Sequence, residues 1–260
     1  QLLRRTGGGW PLTIFLSPQG MPFYSGTYFP AAAPEGQATF RAVLGSVSAV
    51  WSEQRPALAR QDQALRQALA ASLPRPDPAA VLDTPVRAQA FQQLATAFDP
   101  VHGGFGAAPK FAHPSDLAFL LGRAQEDGDA QARSMALTTL RKMAEGGIYD
   151  QIGGGFFRYS VDAQWRIPHF EKMLSDNGVL LGLYADALAL TDEPLLRRVV
   201  EDTAGWALRE MRADNGAFHA WLAADDAQGC EGGFYLWESE PLRLALSPNE
   251  WDVCAAHWGL

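Results

Sequence analysis

The sequence predicts a mostly α fold, with helices joined in series as an (α/α) toroid and a smaller segment of strands and helices before them. Apolar residues recur at helical spacing through most of the chain after residue 84, and a Gly-Gly-Phe signature returns between these helices. A strand-like pattern over 12–28 marks the smaller segment. A plain helical bundle is the alternative arrangement of the same helices.

The first elements are a predicted β-hairpin followed by two helices. The runs LTIFL and PFYSGTYF are strand-like, and Pro18 with Gly20 forms a turn between them. Helical periodicity follows over 39–53 and 56–71, and the proline-rich stretch after it is typical of a linker. We therefore expect a first domain, a linker and a second domain over residues 1–75, 76–85 and 86–260.

The second domain is predicted to be almost purely helical. Pro85 suits a helix start, because the amide that proline lacks has no intrahelical partner in the first turn. The last helix opens with Ser247 and Glu250 in a capping box. The predicted helices cover residues 84–98, 113–125, 129–145, 169–190, 193–211 and 247–257.

The loops between these helices share glycine pairs followed by phenylalanine. Glycine permits positive φ and close backbone approach, so Gly104, Gly154 and Gly155 are predicted to shape the loops. The loop over 146–176 is the richest, because it holds many aromatic and ionisable residues among its glycines. Connections between helices are usually short and polar, so this loop is the first candidate for a functional site.

Composition argues against several classes of function. The formal net charge is −8 and no basic run occurs, which disfavours nucleic-acid and anionic-membrane partners. No apolar run reaches the length of a membrane span. Cys230 and Cys254 show no CxxC or zinc spacing and no HExxH pattern occurs, so we predict neither a metal nor a cofactor. We favour a cytoplasmic location, although the sequence does not determine it.

Four motifs resemble one known family: GGGWPLTIFLSPQGMPFYSGTYFP, FDPVHGGFGAAPKF, GGIYDQIGGGFFRYSVDAQWRIPHFEKMLSDN and EGGFYLW. In this order, and over nearly the whole chain, they are similar to the thioredoxin domain-containing family of spermatogenesis-associated protein 20-like proteins. The resemblance implies an amino-terminal thioredoxin-like domain followed by a six-hairpin (α/α) barrel, similar to glycoside hydrolases and N-acylglucosamine 2-epimerase. It does not imply a well-established activity.

The resemblance also implies that the chain is a fragment. In thioredoxin-like folds a cis proline opens a strand, and Trp10-Pro11 before LTIFL fits that position, so Pro11 is expected to follow a cis bond. The family would place earlier strands and a cysteine-containing segment before Gln1, and its barrel has more helices than we predict here. We therefore expect the end of a thioredoxin-like domain and the first part of a barrel.

Sugar chemistry directs attention to the carboxylates and the histidine of the rich loop. Glycoside cleavage commonly uses two carboxyl groups, and Asp150, Asp162 and Glu171 are the catalytic candidates of this type. His169 is the fourth candidate, because at the predicted start of a helix the dipole lowers its pKa and favours a neutral base. The structural alternative is that the carboxylates cap turns or pair with arginines, and that His169 joins their network.

Further residues of these loops are candidates for substrate binding, since flat aromatic rings stack on sugars. The alternative is that the rings fill the mouth of the barrel. The candidates are Tyr149, Arg158, Tyr159, Trp165, Lys110, Asp226 and Trp237.

The chain departs from the family pattern at three positions. Phe157 stands where the family has a histidine, Ser175 stands where it has a tyrosine, and Ala224 replaces the first aspartate of a pair that keeps Asp226. The last departure weakens a two-carboxylate site there. It leaves the loop over 146–176 as the stronger candidate.

Three functions are compatible with these features. The first is a carbohydrate-active or carbohydrate-binding barrel fused to a thioredoxin-like domain, with a small molecule such as a sugar as its ligand. The second is a thiol-redox or folding-assistance protein whose CxxC lies upstream of Gln1. The third is a non-enzymatic scaffold whose loops bind a protein partner. The residues leave open whether glycosidase-like or epimerase-like activity is present.

Overall fold

The structure is a computed structural model that describes residues 11–31, 38–73 and 84–259. The contacts divide the chain into two compact units, Gln1–Val81 and Leu82–Leu260. Most of the predicted linker lies outside the described residues. Trp10 lies outside them as well, and with it the proposed cis bond to Pro11.

The first unit contains the predicted hairpin and the two helices. Strand β1 (Thr13–Leu16) pairs antiparallel with β2 (Pro22–Gly26), and helices α1 (Phe40–Glu53) and α2 (Arg55–Ser72) follow. Thr39 caps α1 by accepting a hydrogen bond from the amide of Ala42. The core of this unit consists of the buried side chains Met21, Val43, Val47 and Leu58.

The second unit is helical, and its helices are connected by loops with very short strands. The helices are α3 (Thr84–Ala97), α4 (Pro114–Glu126), α5 (Ala130–Glu145), α6 (Leu174–Thr191), α7 (Pro194–Trp206), α8 (Ser239–Ala245) and α9 (Pro248–Trp258). A π-helical turn, Ala207–Met211, continues α7. The strands are β3 (Lys110–Phe111), β4 (Tyr159–Ser160), β5 (Pro168–His169), β6 (Lys172–Met173) and β7 (Trp221–Leu222).

Consecutive helices form hairpins that stack in two layers. Only a few residues connect α4 to α5 and α6 to α7, so each pair forms a helical hairpin. Between the hairpins α4 packs on α6, whereas α5 packs on α7. An (α/α) toroid repeats this arrangement, and the predicted fold class is confirmed.

The core of the second unit lies between these helices. Leu117, Leu120, Leu140, Tyr184 and Leu196 are completely buried there. The hydroxyl of Tyr184 donates a hydrogen bond to the carbonyl oxygen of Leu140 at 2.7 Å, so its polar end is satisfied inside the core. The hairpins therefore share one packed core, which supports the loops at their ends.

The predicted helix over 169–190 is wrong at its start, because α6 begins only at Leu174. His169 lies in β5, which pairs with β4, and Lys172 lies in β6, which pairs with β7. Strand pairing and the contacts of the buried Lys172 side chain hold this segment extended. The predicted helix over 193–211 changes to π-helical geometry after Trp206, and α8 was not predicted.

Candidate functional site

Lys110 is a buried lysine that closes the first glycine-rich loop. Its ammonium donates to Asp99 Oδ2 at 2.8 Å and to the carbonyl oxygen of Ala163 at 3.0 Å, and it lies 5.2 Å from the centre of the Trp165 ring. Burial alone would raise the pKa of Asp99, but hydrogen bonds from Lys110 and from the backbone amides of His102 and Val101 lower it to about 2. The Asp99 carboxyl is therefore ionised at neutral pH.

Lys172 closes the second glycine-rich loop in the same way. Its buried ammonium donates to Asp150 Oδ2 at 2.7 Å and to the carbonyl oxygen of Gly154 at 2.8 Å, and it lies 5.3 Å from the centre of the Trp206 ring. Burial would raise the pKa of Asp150, but hydrogen bonds from Lys172 and from the Gly153 and Ile152 amides lower it. Burial lowers the pKa of Lys172, although Asp150 opposes this effect.

The two segments, 98–110 and 149–172, share one backbone design, and we call them the first and second lysine-anchored loops. In each, the aspartate amide bonds to the carbonyl of the second glycine and the aspartate Oδ1 accepts two backbone amides. A β-bridge joins the flanking aromatic residues, Phe98 with Phe105 and Tyr149 with Phe156. The sequence predicted a shared loop chemistry but not this ion pair.

The glycines of these loops occupy positions that other residues would not fit. Gly104 and Gly155 have φ of +76° and +80°, in the left-handed region. A Cβ on Gly104 would lie 2.6 Å from the Trp165 ring, and one on Gly155 would lie 2.8 Å from the Trp206 ring. A Cβ on Gly154, at φ +80°, would lie 2.5 Å from the carbonyl oxygen of Asp202. Each loop therefore packs a tryptophan directly on its backbone.

An aromatic ladder lies on the small sheet formed by β3, β4 and β5. Phe111 stacks on Tyr159 with 4.8 Å between ring centroids, and Tyr159 stacks on His169 with 5.0 Å. These residues are direct cross-strand neighbours, so the strand register produces the stack. Phe111 is 42% exposed, which leaves an aromatic surface open to a ligand.

A polar cluster adjoins the ladder. His169 Nδ1 lies 2.6 Å from Glu231 Oε1, and its Nε2 lies 3.8 Å from Glu171 Oε2. Arg158 Nη1 donates to the same Glu171 oxygen at 3.3 Å. Because His169 lies on a strand, the predicted effect of a helix dipole on its imidazole does not apply. The imidazole lies between two carboxylates instead.

A cavity of about 130 Å³ lies beside the ladder and the polar cluster. Its walls include Phe111, His113, Phe157, Arg158, Asp176 and Leu180. Burial raises the pKa of Asp176, partly opposed by the nearby Arg158. The cavity therefore combines apolar walls with a carboxyl group, a guanidinium and an imidazole.

Asp162 has the structural surroundings of a loop organiser. Its carboxylate accepts hydrogen bonds from the amides of Gln164, Arg166 and Ile167. Burial would raise its pKa, but these amides lower it. Asp150 is likewise held by its own loop and by Lys172, and neither Asp150 nor Asp162 contacts the side chain of His169 or Glu171.

Two of the predicted substrate-binding aromatics are buried in packing roles. Tyr149 is 1% exposed, its hydroxyl donates to Asp202 at 3.3 Å, and burial raises its pKa. Trp165 is fully buried and donates its indole N–H to the carbonyl of His102 at 2.8 Å. It holds this place with φ of +65°, an unusual value for a bulky residue.

Two further candidates lie outside the cluster. Asp226 accepts hydrogen bonds from the amides of Gln228 and Cys230, as a turn aspartate does. Trp237 is 59% exposed.

Phe111 is a surface residue that strand alternation indicates. Successive side chains of a strand point to opposite faces, and its neighbour Lys110 is buried.

Of the residues that line the cavity, sequence reasoning selected Arg158 alone, and those it missed include Phe111, His113 and Asp176. His113 has a positive φ of 47°, which sequence does not reveal. Among the described residues, no group of three His, Cys, Asp or Glu side chains could hold a metal ion. In the same residues, no helix combines the length and the apolar character needed to cross a membrane.

The stacked hairpins and their elaborated loops define a protein of the (α/α) helical-hairpin class. Residues 1–70 match the family described as Thioredox_DsbH, protein of unknown function, DUF255. The chain is 36% identical to human spermatogenesis-associated protein 20 over 98% of its own length, and 34% identical to an uncharacterized protein of Caenorhabditis elegans over 94%. The chain belongs to the spermatogenesis-associated protein 20-like family, as its motifs predicted. It spans 35% of the length of each of these two relatives.

Solved structures with a similar fold include two sugar epimerases. Cellobiose 2-epimerase from Bacillus thermoamylovorans is 10% identical, with a TM-score of 0.47 over 54% of this chain and 40% of that one. Cellobiose 2-epimerase from Spirochaeta thermophila is 18% identical, with a TM-score of 0.46 over 54% of this chain and 39% of that one.

Proposed function

We propose that the loops of the helical unit bind a carbohydrate at the aromatic ladder, and that the protein is carbohydrate-active. The main support is the ladder itself, in which the half-exposed Phe111 adjoins the ion pair of Arg158 and Glu171. Sugar recognition needs an aromatic surface for the ring and charged partners for its hydroxyls. Both are present within one small area.

His169 is our candidate for proton transfer. Its imidazole contacts Glu231 and faces Glu171, so a proton leaving or reaching the ring has a carboxylate on either side. Asp150 and Asp162 are proposed to act structurally, because backbone amides or Lys172 already occupy their oxygens. The proposal therefore places catalysis on His169 and Glu171 alone among the four sequence candidates.

Isothermal titration of the protein with a panel of mono- and disaccharides tests this function. We expect at least one sugar to bind, and Phe111→Ala and Tyr159→Ala to weaken its binding by about tenfold or more, which corresponds to about 1.4 kcal/mol. Trp258→Ala is the matched control, since Trp258 is an exposed aromatic residue on α9. Absence of binding across the panel would contradict the proposal.

His169→Gln separates binding from turnover. This variant keeps a polar side chain next to Glu231 but removes the titratable imidazole. We expect sugar binding to persist, and turnover of any sugar substrate to fall about 100-fold or more, as loss of general acid–base catalysis does. Full turnover by the variant would remove His169 from the mechanism.

The thiol-redox hypothesis draws support from the match of residues 1–70 to the Thioredox_DsbH family, but this chain contains no CxxC. The two cysteines of the chain, Cys230 and Cys254, lie in the second unit, and residues 1–81 contain none. Because the chain spans about a third of the length of its relatives, the activity of the whole protein is a proposal in either case.

A further inference from the structure

The charges around the cavity restrict what kind of sugar it can hold. Arg158 is the one permanently charged cation among the residues that line it, and its guanidinium already contacts Glu171 at 3.3 Å. Asp176 lies in the same wall, and Glu231 belongs to the adjoining polar cluster through its contact with His169. Acidic groups therefore outnumber basic ones in the described surroundings of this cavity.

An anionic sugar would meet an unfavourable environment here. Its carboxylate or phosphate would lie near Asp176 and Glu171, and it would compete with the Glu171 carboxylate for the guanidinium of Arg158. Burying a charge without a partner is costly, and like charges at an interface repel. The cost falls on sugar acids and sugar phosphates alike.

An uncharged sugar would meet complementary groups. Hydroxyl groups both donate and accept, so they can donate to Asp176 and Glu171 while accepting from Arg158. The apolar walls formed by Phe111, Phe157 and Leu180 suit the C–H faces of a sugar ring. The volume of about 130 Å³ is below that of ordinary ligand pockets, so the cavity has room for one sugar ring at most and not for an oligosaccharide.

We infer that this cavity selects uncharged monosaccharide units and rejects sugar acids and sugar phosphates, and that Asp176 and the Glu171-bound Arg158 determine this selection. The inference rests on the proposed carbohydrate binding and adds the class of ligand. Asp176 and Arg158 are thus specificity-determining residues, distinct from His169.

The test compares matched ligands on the intact protein by isothermal titration at pH 7.5. The pairs are D-glucose with D-glucuronate, D-galactose with D-galacturonate, and D-mannose with D-mannose 6-phosphate. We compare the two members of the pair that contains the best-binding sugar. We expect the neutral sugar to bind about tenfold more tightly than its anionic partner, a difference in binding free energy of about 1.4 kcal/mol. Equal or tighter binding of the anions would overturn the inference and leave the proposed function intact. No binding of any ligand would refute both.

Two variants test the named residues. Glu171→Gln frees Arg158 from its ion pair, and we expect the affinity for the uronate to rise about tenfold relative to the neutral sugar. Asp176→Asn removes the negative charge from the cavity wall and should act in the same direction, so it serves if Glu171→Gln fails to fold. Unchanged discrimination in a folded variant would contradict the assigned role.

Asp186→Asn is the matched control for these charge changes. Asp186 is an exposed aspartate on the same helix as Asp176, ten residues further along, or roughly 15 Å along the helix axis. We expect it to leave the discrimination unchanged. A control effect as large as that of Asp176→Asn would show that net charge, rather than the cavity, sets the preference.

Discussion

The completely buried lysines are the residues on which the two loops depend most. Lys110 and Lys172 have no exposed surface, and each places its ammonium on an aspartate and a backbone carbonyl, near an indole ring. A buried charge is tolerated only while its partners remain. These ion pairs therefore make loop closure sensitive to either partner.

Replacing Lys172 with methionine should destabilise the helical unit strongly. The change keeps the volume of the side chain but leaves Asp150, 13% exposed, without its cation. We expect the free energy of unfolding to fall by about 3–5 kcal/mol, measured by urea denaturation. Arg197→Met is the matched control, because Arg197 pairs with Asp192 on the surface, and we expect it to cost less than about 1 kcal/mol. Similar losses in the two variants would show that burial does not govern the effect.

At the scale of the elements, the two lysine-anchored loops are repeats of one design. The first connects α3 to α4 and the second connects α5 to α6. Each loop therefore leads into the first helix of a helical hairpin, α4–α5 or α6–α7. Each places two successive glycines at positive φ, Gly103 with Gly104 and Gly154 with Gly155. The glycines and the ion pair thus form one unit.

Two glycines of the first loop separate backbone strain from packing. Gly104 and Gly106 have nearly the same φ, +76° and +75°, but a Cβ on Gly106 meets nothing within 4 Å. Gly106→Ala should therefore cost about 1–2 kcal/mol, the strain of a left-handed alanine. Gly104→Ala should cost a further ~1–3 kcal/mol, because its Cβ collides with the buried Trp165.

Chemical denaturation of both glycine variants measures this difference. The two positions lie in one loop and two residues apart, so unfolded-state effects cancel in the comparison. Equal stabilities would mean that Trp165 moves aside without cost.

The helical spacing of apolar residues predicted the long helices well. Capping residues in the sequence predicted where a helix begins. The capping box of Ser247 and Glu250 is present at α9. Helix α8 was missed because it is only seven residues long and none of its residues is buried, so it carries little apolar periodicity. The start of α6 was misjudged because a side-chain contact over 22 residues, from Lys172 to Asp150, keeps the preceding segment extended.

The candidate site was harder to predict than the fold. Its loop was found from its unusual composition, but the cavity joins residues from the starts of α4 and α6 and from the region of β4. Such convergence depends on how the hairpins stack, which spacing along one chain does not give. One signal was available, since aspartate, paired glycines, an aromatic residue and lysine occur in the same order twice, starting at Asp99 and Asp150.

At the scale of the whole molecule, the helical unit depends on carboxylates that are ionised in the folded state. The pKa of Asp99 is lowered to about 2, and that of Asp150 is also lowered. A carboxyl whose folded pKa lies below its unfolded pKa, near 3.8 for Asp99, stabilises the fold above the unfolded value. That contribution is lost as the pH falls through the folded value.

We therefore expect stability to decline between about pH 4 and pH 2, on the basis of the lowered pKa of Asp99. Asp99→Asn should be less stable than the parent at pH 7, and its stability should change less over this range. The measurement is the urea midpoint against pH. Asp252→Asn, at an exposed position on α9, is the control and should keep the parental pH dependence. A parental slope in Asp99→Asn would contradict the assignment.

The unequal lengths of the two lysine-anchored loops separate stability from specificity. Lys110 lies 11 residues after its aspartate, whereas Lys172 lies 22 residues after its own, yet both loops close in the same way. The additional length carries Tyr159, Trp165 and His169. Evolution could therefore replace this insert to suit another ligand while both ends of the loop stay fixed. The new insert would still have to supply Lys110 with a carbonyl oxygen, as Ala163 does, and with a tryptophan ring, as Trp165 does.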